Sequence, residues 1–348
     1  MRIALIEPFF GGSHKRWSED YHDFSGHEVH LFTSPGRHWK WRMHESGLSM
    51  AEALNASPLT FDRILVSDML DLTTFKAFAR PKGDPEYVLY FHENQLTYPW
   101  SSQDRDRKNG RSRHYGWINY VSALAADQVW FNSDYHRNSF LEALPVFLNA
   151  YPDRRGMHRV EAIREKSSTV PIQLNLKQFD GFKSKDQPKN EVPLLLWNHR
   201  WEYDKNPEAF FAACLRLRHD GFRFHLAVLG QNNRLYPPIF DEAKEELADH
   251  IVQWGPVESM EEYASWLHKS DIIPVTSNQD FFGISAVEAM YCGVVPLLPN
   301  RLAFPEHIEG AEYFYDSDEE LYERLKDWIL HPNKKPAPVR EQVLKYTY

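Results

Sequence analysis

The chain has 348 residues, 42% of them hydrophobic and 26% charged, enough for two compact domains and too polar for a membrane protein. No apolar run approaches the roughly 20 residues that span a bilayer, and Met1-Arg2 leads straight into a core-like strand without a signal-peptide pattern, so a cytoplasmic location and no membrane partner are expected. A net charge of −9 argues against a generic nucleic-acid binder, although residues 1–180 balance 22 Lys+Arg against 22 Asp+Glu and the whole deficit lies in 181–348.

Strand-like runs alternate with helical patterns, as parallel sheets with crossover helices require. Strands are expected at residues 2–6, 28–33, 63–67, 87–92 and 128–132, with a helix over 117–126. Residues 176–191, rich in Lys, Asp, Gln and Pro, read as an interdomain linker. The pattern restarts with strands at 193–198, 223–229, 251–255, 272–276 and 294–298, separated by helices near 207–219, 238–248 and 260–268. Residues 339–348 read as a last helix, for which packing back on the first domain is one placement. The expected fold is α/β: two Rossmann-like domains, 1–175 and 192–338, with parallel sheets facing a central cleft. Cys214 and Cys292 sit in apolar contexts that suit reduced thiols, and the 17 histidines show no metal-ligand spacing.

The stretch from Ser277 to Gly293 carries the most chemistry. An apolar strand runs into it, Gly283 opens a helix that Gly293 can close in a left-handed cap, and Asp280 and Glu288 stand eight positions apart across the junction. The helix start at Gly283-Ile284, after Phe282, suits a pyrophosphate, and Glu288 can accept hydrogen bonds from vicinal hydroxyls. The alternative is the strand–loop–helix of any α/β enzyme. Arg200 and Lys205, five apart at a strand exit, can neutralise a leaving pyrophosphate, or can simply pair with Glu202 or Asp204. Ligands of open α/β sheets gather beyond the carboxyl ends of the strands, which puts His92, Asn132, Arg200, Gly230 and Asp280 at such edges. Gly11 and Gly12 allow a close backbone approach, or merely a turn.

The spacing Asp280-x7-Glu288, with Phe282-Gly283, and the R-x4-K-N of Arg200 to Asn206 resemble the retaining glycosyltransferases of family 4, whose usual first carboxylate is Glu rather than Asp. The ordered set Phe9-Phe-Gly11-Gly12-Ser-His14-Lys, Trp39-Lys-Trp41-Arg42, Tyr90-Phe-His92-Glu-Asn94-Gln-Leu, Phe131-Asn132-Ser and His199-Arg200-Trp-Glu is similar to the tRNA-queuosine α-mannosyltransferase family over nearly the whole chain. This resemblance implies the GT-B fold, with acceptor binding in the first domain and nucleotide-sugar binding in the second. It implies a GDP-mannose donor, a queuosine-containing tRNA acceptor and no metal. It implies donor-binding roles for Gly11, Gly12, Arg200, Lys205, Phe282, Gly283, Ile284 and Glu288, catalytic roles for His92, Arg200, Lys205 and Asp280, and substrate contacts from His14, Asn94 and Asn132.

Arg105, Arg107, Lys108, Arg111 and Arg113 form a basic run expected to grip tRNA phosphates, with Trp39, Trp41 or an aromatic near Trp117 stacking on a base. The alternative is a solvated loop neutralised by Asp104 and Asp106. Asp104-x-Asp106 and Asp316-x-Asp318 match a metal-binding pattern but lie outside strand ends and read as solvated. Competing functions are a glycosyltransferase acting on a lipid, glycan or small molecule, and a non-catalytic nucleotide- or RNA-binding protein. A nicotinamide dehydrogenase is disfavoured, since no G-x-G-x-x-G follows a strand.

Overall fold

The computed structural model describes residues 1–100, 104, 106, 112–184, 190–231 and 236–348. They form two compact units, Met1–Asn175 together with Tyr348, and Leu176–Thr347.

The first unit holds a parallel sheet of β1 (Arg2–Phe10), β2 (Glu28–Pro35), β3 (Arg63–Ser67), β4 (Glu86–Phe91), β5 (Gln128–Phe131) and β6 (Ser167–Thr169) in the order β2-β1-β3-β4-β5-β6. Ile3, Ala4, Leu5 and Ile6 are all fully buried, because helices cover both faces and the strand reads as a continuous apolar run rather than an alternating one. Among the described residues the strands are linked by α1 (Gly12–Phe24), α2 (Trp39–Ala56), α3 (Leu72–Phe78), α4 (Ser112–Ala125), α5 (Asp134–Asn149) and α6 (His158–Glu165). Their inward faces and the strands share one core that includes Ile6, Val66, Leu89, Phe91, Phe131 and Phe140. The chain order reverses between β1 and β3, so the crevice for a ligand opens beyond the ends of those strands.

The second unit repeats the logic with β7 (Leu194–Trp197), β8 (His225–Val228), β9 (Ile251–Trp254), β10 (Ile272–Pro274), β11 (Val295–Pro299) and β12 (Phe314–Tyr315) in the order β12-β11-β10-β7-β8-β9. Its helices are α7 (Pro207–His219), α8 (Ile239–Glu246), α9 (Met260–Lys269), α10 (Ile284–Tyr291), α11 (Asp318–Leu330) and the single turn α12 (Arg340–Val343). Here the order reverses between β7 and β10, which places the loops after those two strands at the switch point. Leu176–Phe182, at the head of the segment read as a linker, is a 3-10 helix with Leu176 and Phe179 buried. The expected last helix is short: α12 passes into a 3-10 turn over Leu344–Tyr346 whose Tyr346 hydroxyl lies 3.0 Å from His307 Nδ1. Tyr348 alone joins the first unit, its N–H donating to the Leu174 carbonyl at 3.3 Å.

Candidate active-site clusters

In the second unit the two switch-point loops are locked together. The Asn278 and Gln279 N–H groups donate to the Asp204 carbonyl, and Thr276 Oγ1 donates to the carbonyls of Lys205 and Asn206. Lys205 is buried between them. Its Nζ donates to the Gln279 carbonyl and Asp280 Oδ1, each at 2.9 Å, and lies 3.1 Å from Asp204 Oδ2. Burial alone would depress the Lys205 pKa, yet Asp280 and Asp204 outweigh it and hold the ammonium above its usual range. Burial pushes Asp280 upward, and Lys205 with His199 pulls it back below the ordinary carboxylate range.

Arg200 differs from Lys205. Its side chain is 54% exposed and meets Glu202 at 3.4 Å, so the cation stands at the surface while Trp201 anchors the loop, stacked 4.2 Å from Phe240 and donating Nε1–H to the Leu229 carbonyl. The facing Gly230 has no room for a side chain: a Cβ there would lie 2.0 Å from the His199 carbonyl oxygen.

Gly283 adopts φ 82° and opens α10 without a side-chain cap, and no acidic residue lies in the first turn, which leaves the helix start suited to an anion. The helix closes as its sequence predicts. Gly293 has φ 93°, its N–H reaches the Met290 carbonyl and that of Val294 reaches Ala289, the hydrogen-bond pair of a Schellman cap. Phe282 is buried, with its carbonyl 2.5 Å from His307 Nε2, and Ile284 is partly buried. Glu288 is buried and accepts from the Tyr263 hydroxyl at 2.7 Å; Asn198 Nδ2 donates to that hydroxyl and to the Ser285 carbonyl. His199 Nδ1 lies 2.8 Å from Ser285 Oγ, its Nε2 meets no partner among the described residues, and burial holds the ring neutral with a pKa of about 4.

A second cluster occupies the switch point of the first unit. Glu7, within β1, is fully buried and accepts from the Phe9 N–H at 2.9 Å, Ser67 Oγ at 3.0 Å and His14 Nδ1 at 3.0 Å. Burial would push the His14 pKa down, but Glu7, backed by Asp68 and Glu93, raises it to about 9. The His92 ring stands 4.4 Å from that of His14 and is driven well below its usual value by burial and by the charges of His14 and His136. Asp68 caps the loop after β4, its Oδ1 accepting the His92 N–H at 2.7 Å, and burial raises its carboxyl well above the normal range. Glu7, His14 and His92 come within 4.8 Å of one another, the grouping a metal ion would need. Three donors already meet Glu7, and its contact with His14 is an ion pair when His14 is protonated.

Asn94 and Asn132 turn inward. Asn94 Oδ1 accepts the Leu96 and Thr97 N–H groups, and Asn132 Nδ2 donates to the His92 carbonyl while its Oδ1 meets His136. Gly11 faces protein, since a Cβ there would lie 3.2 Å from Gly36 Cα, whereas Gly12, at φ 53°, has open space around it. In the basic run, Arg105, Arg107, Lys108 and Arg111 lie outside the described residues, and Arg113 is exposed on α4. Asp104 and Asp106 are not solvated carboxylates: both bind Lys40 Nζ, at 2.7 and 2.6 Å. Trp39 packs against Tyr115 and Trp100, while Trp41 is 60% exposed.

Sequence reasoning missed Glu7, Asp68, Asn198, Tyr263 and Ser285. Asn198 and Asp68 carried a signal, as polar residues at the ends of apolar strands. The others gain their place from chain segments brought together by the fold.

Two family profiles divide the chain where these clusters divide. "tRNA-queuosine alpha-mannosyltransferase N-terminal" matches residues 2–174, and "Glycosyl transferases group 1" matches residues 179–345. The tRNA-queuosine alpha-mannosyltransferase of Drosophila melanogaster is 32% identical over 338 residues, covering 95% of this chain and 87% of that protein. The chain belongs to the tRNA-queuosine α-mannosyltransferase family. As a member of that family it is a glycosyltransferase, and its glycosyl-transferase group 1 half assigns it a nucleotide-sugar donor. Its fold is shared with a sucrose-phosphate synthase from Thermosynechococcus elongatus, with a TM-score of 0.72, 16% identity and coverage of 99% and 94% of the two chains. A trehalose-phosphate synthase from Burkholderia xenovorans matches with a TM-score of 0.70, 11% identity and the same coverage. These neighbours give the family member's fold as GT-B. No helix among its described residues is long and apolar enough to cross a membrane.

Proposed function

We propose that this family member transfers mannose from GDP-mannose to the queuosine of tRNA with retention of anomeric configuration and without a metal. The observation that carries this reading is that one relative aligns with 95% of the chain, so the halves bearing His14 with His92 and Arg200 with Glu288 are matched together. Arg200, Lys205 and the start of α10 receive the pyrophosphate and stabilise the charge that develops on it. Glu288, oriented by Tyr263, accepts from the ribose hydroxyls, and Asp280 contacts the transferred sugar. The donor C1–O bond breaks as the acceptor oxygen bonds to the same face of C1, and the acceptor proton passes to the departing phosphate. No carboxylate serves as nucleophile. His92, neutral and beside His14, faces the reacting groups, while Asn94 and Asn132 hold its loop. Arg105, Arg107, Lys108, Arg111 and Arg113 bind tRNA phosphates, with Trp41 as the exposed stacking ring.

Incubation of the purified protein with GDP-mannose and tRNA from queuosine-containing or queuosine-lacking cells tests the reading. Mannose should appear only on the first tRNA pool. Transfer to neither pool would remove it, and transfer to both would remove queuosine as the acceptor.

A further inference from the structure

The mechanism above uses His14 and His92 but gives no role to the buried acid between the strands. Glu7 sits in β1 where neighbouring positions are apolar and fully buried, and an ionisable group there is costly unless it is paired. Its pairing is directed: backbone Phe9 and Ser67 Oγ fix one oxygen, and the other meets His14 Nδ1 at 3.0 Å. His14 lies in the first turn of α1, two positions after Gly12, and its Nε2 makes no hydrogen bond among the described residues. The groups that face it are Glu7 from β1, Asp68 beyond β3, and His92 and Glu93 beyond β4.

We propose that Glu7 is a positioning residue for sugar transfer: it turns Nδ1 of His14 inward and leaves Nε2 as a charged donor for a phosphate or developing oxyanion, beside an uncharged His92. This rests on the proposed transfer reaction. Two adjacent imidazoles would otherwise repel each other's protons and, being buried, would both be neutral near pH 7. Glu7 breaks that symmetry, so one ring donates as a cation and the other remains available as a neutral hydrogen-bonding group.

The test is kcat/KM for transfer from GDP-mannose to queuosine-containing tRNA, measured from about pH 6 to about pH 10 for the wild type, Glu7→Gln, His14→Gln and the double variant. Without Glu7, burial dominates and His14 titrates below its usual value near 6.5. The deficit of Glu7→Gln should then be smallest at pH 6 and grow to about 10²-fold or more at pH 8.5, two units above that value. The double variant should be no worse than His14→Gln. Histidine 15N shifts, which need no substrate, should show His14 titrating near 9 in the wild type and below 6.5 in Glu7→Gln. A further reading needs no Glu7 variant. Wild-type activity should fall as pH rises through about 9, and His14→Gln should abolish that limb. A ratio of wild type to Glu7→Gln that stays flat with pH, or a limb that persists in His14→Gln, overturns the inference and leaves the transfer reaction standing. A wild type that transfers no mannose at any pH overturns both.

Discussion

Replacing Lys205 with Met removes a charge that holds two buried carboxylates. The Asp204 side chain is fully buried and that of Asp280 is 14% exposed, with Lys205 within 3.1 Å of both. Breaking a buried pair by deleting one partner typically costs about 3–5 kcal/mol, because the remaining charge is left uncompensated; against a total stability of roughly 5–15 kcal/mol this is a large fraction. The sign of the pH dependence follows from the depressed Asp280 pKa. In the wild type the Asp280 contribution is present above the unfolded-state carboxylate value and is lost as pH falls through the lower folded-state value. In Lys205→Met burial raises that folded-state value instead, so the penalty is greatest at neutral pH and shrinks as the carboxyl protonates. Urea denaturation at pH 7.5 and 5 should therefore show a gap between wild type and variant that narrows on acidification. A pH-independent gap, or one below about 1 kcal/mol at pH 7.5, would mean that the pair contributes no more than a surface ion pair and would refute the reasoning.

Arg200→Ala should leave stability within about 0.5 kcal/mol, since the side chain is half exposed, while donor turnover falls by on the order of 10²-fold through the loss of transition-state charge stabilisation; steady-state kinetics beside a melting curve would separate the two. Gly230→Ala places a Cβ 2.0 Å from the His199 carbonyl and should cost upwards of about 3 kcal/mol, measured as a drop in denaturation midpoint. Tyr263→Phe deletes the 2.7 Å hydrogen bond to Glu288 and should weaken GDP binding by roughly 10-fold or more, which calorimetry would detect. Exhaustive chelation should leave transfer unchanged, and an absolute requirement for Mg2+ or Mn2+ would contradict the proposed mechanism.

The features legible in the sequence are those written in consecutive residues. The apolar runs of β1, β3, β7 and β8 announce buried parallel strands, and Gly283 and Gly293 bracket α10 because each marks a backbone conformation that a side chain disfavours. The strands β6 and β12 escaped because three and two residues carry no period. Longer-range partners were invisible for another reason. Asp280 meets a lysine 75 positions earlier, Glu288 a tyrosine 25 positions earlier, and Glu7 a serine 60 positions later, and only the strand order brings such residues together. The sequence left Lys205 as a cation for a ligand or a partner for Glu202 or Asp204; the structure pairs it with Asp204 and adds Asp280.

That addition separates the two cations of the proposed donor site. Lys205 Nζ donates to two protein oxygens at 2.9 Å and lies 3.1 Å from a third, and the same contacts join the loops after β7 and β10. A pyrophosphate that displaced one of them would strand a buried carboxylate at a cost of several kcal/mol. Arg200 differs, since its 3.4 Å contact with Glu202 joins a guanidinium 54% exposed to a carboxylate 24% exposed, and partly exposed pairs are typically worth about 1 kcal/mol or less. In the proposed reaction Arg200 is therefore the cation that exchanges its partner for the arriving diphosphate. Lys205 contributes from its fixed place, and its charge also sets where Asp280 stands against the sugar. The retracted carboxylate suits this arrangement: Asp280, 2.9 Å from Lys205, would meet the proposed donor while remaining part of the buried pair.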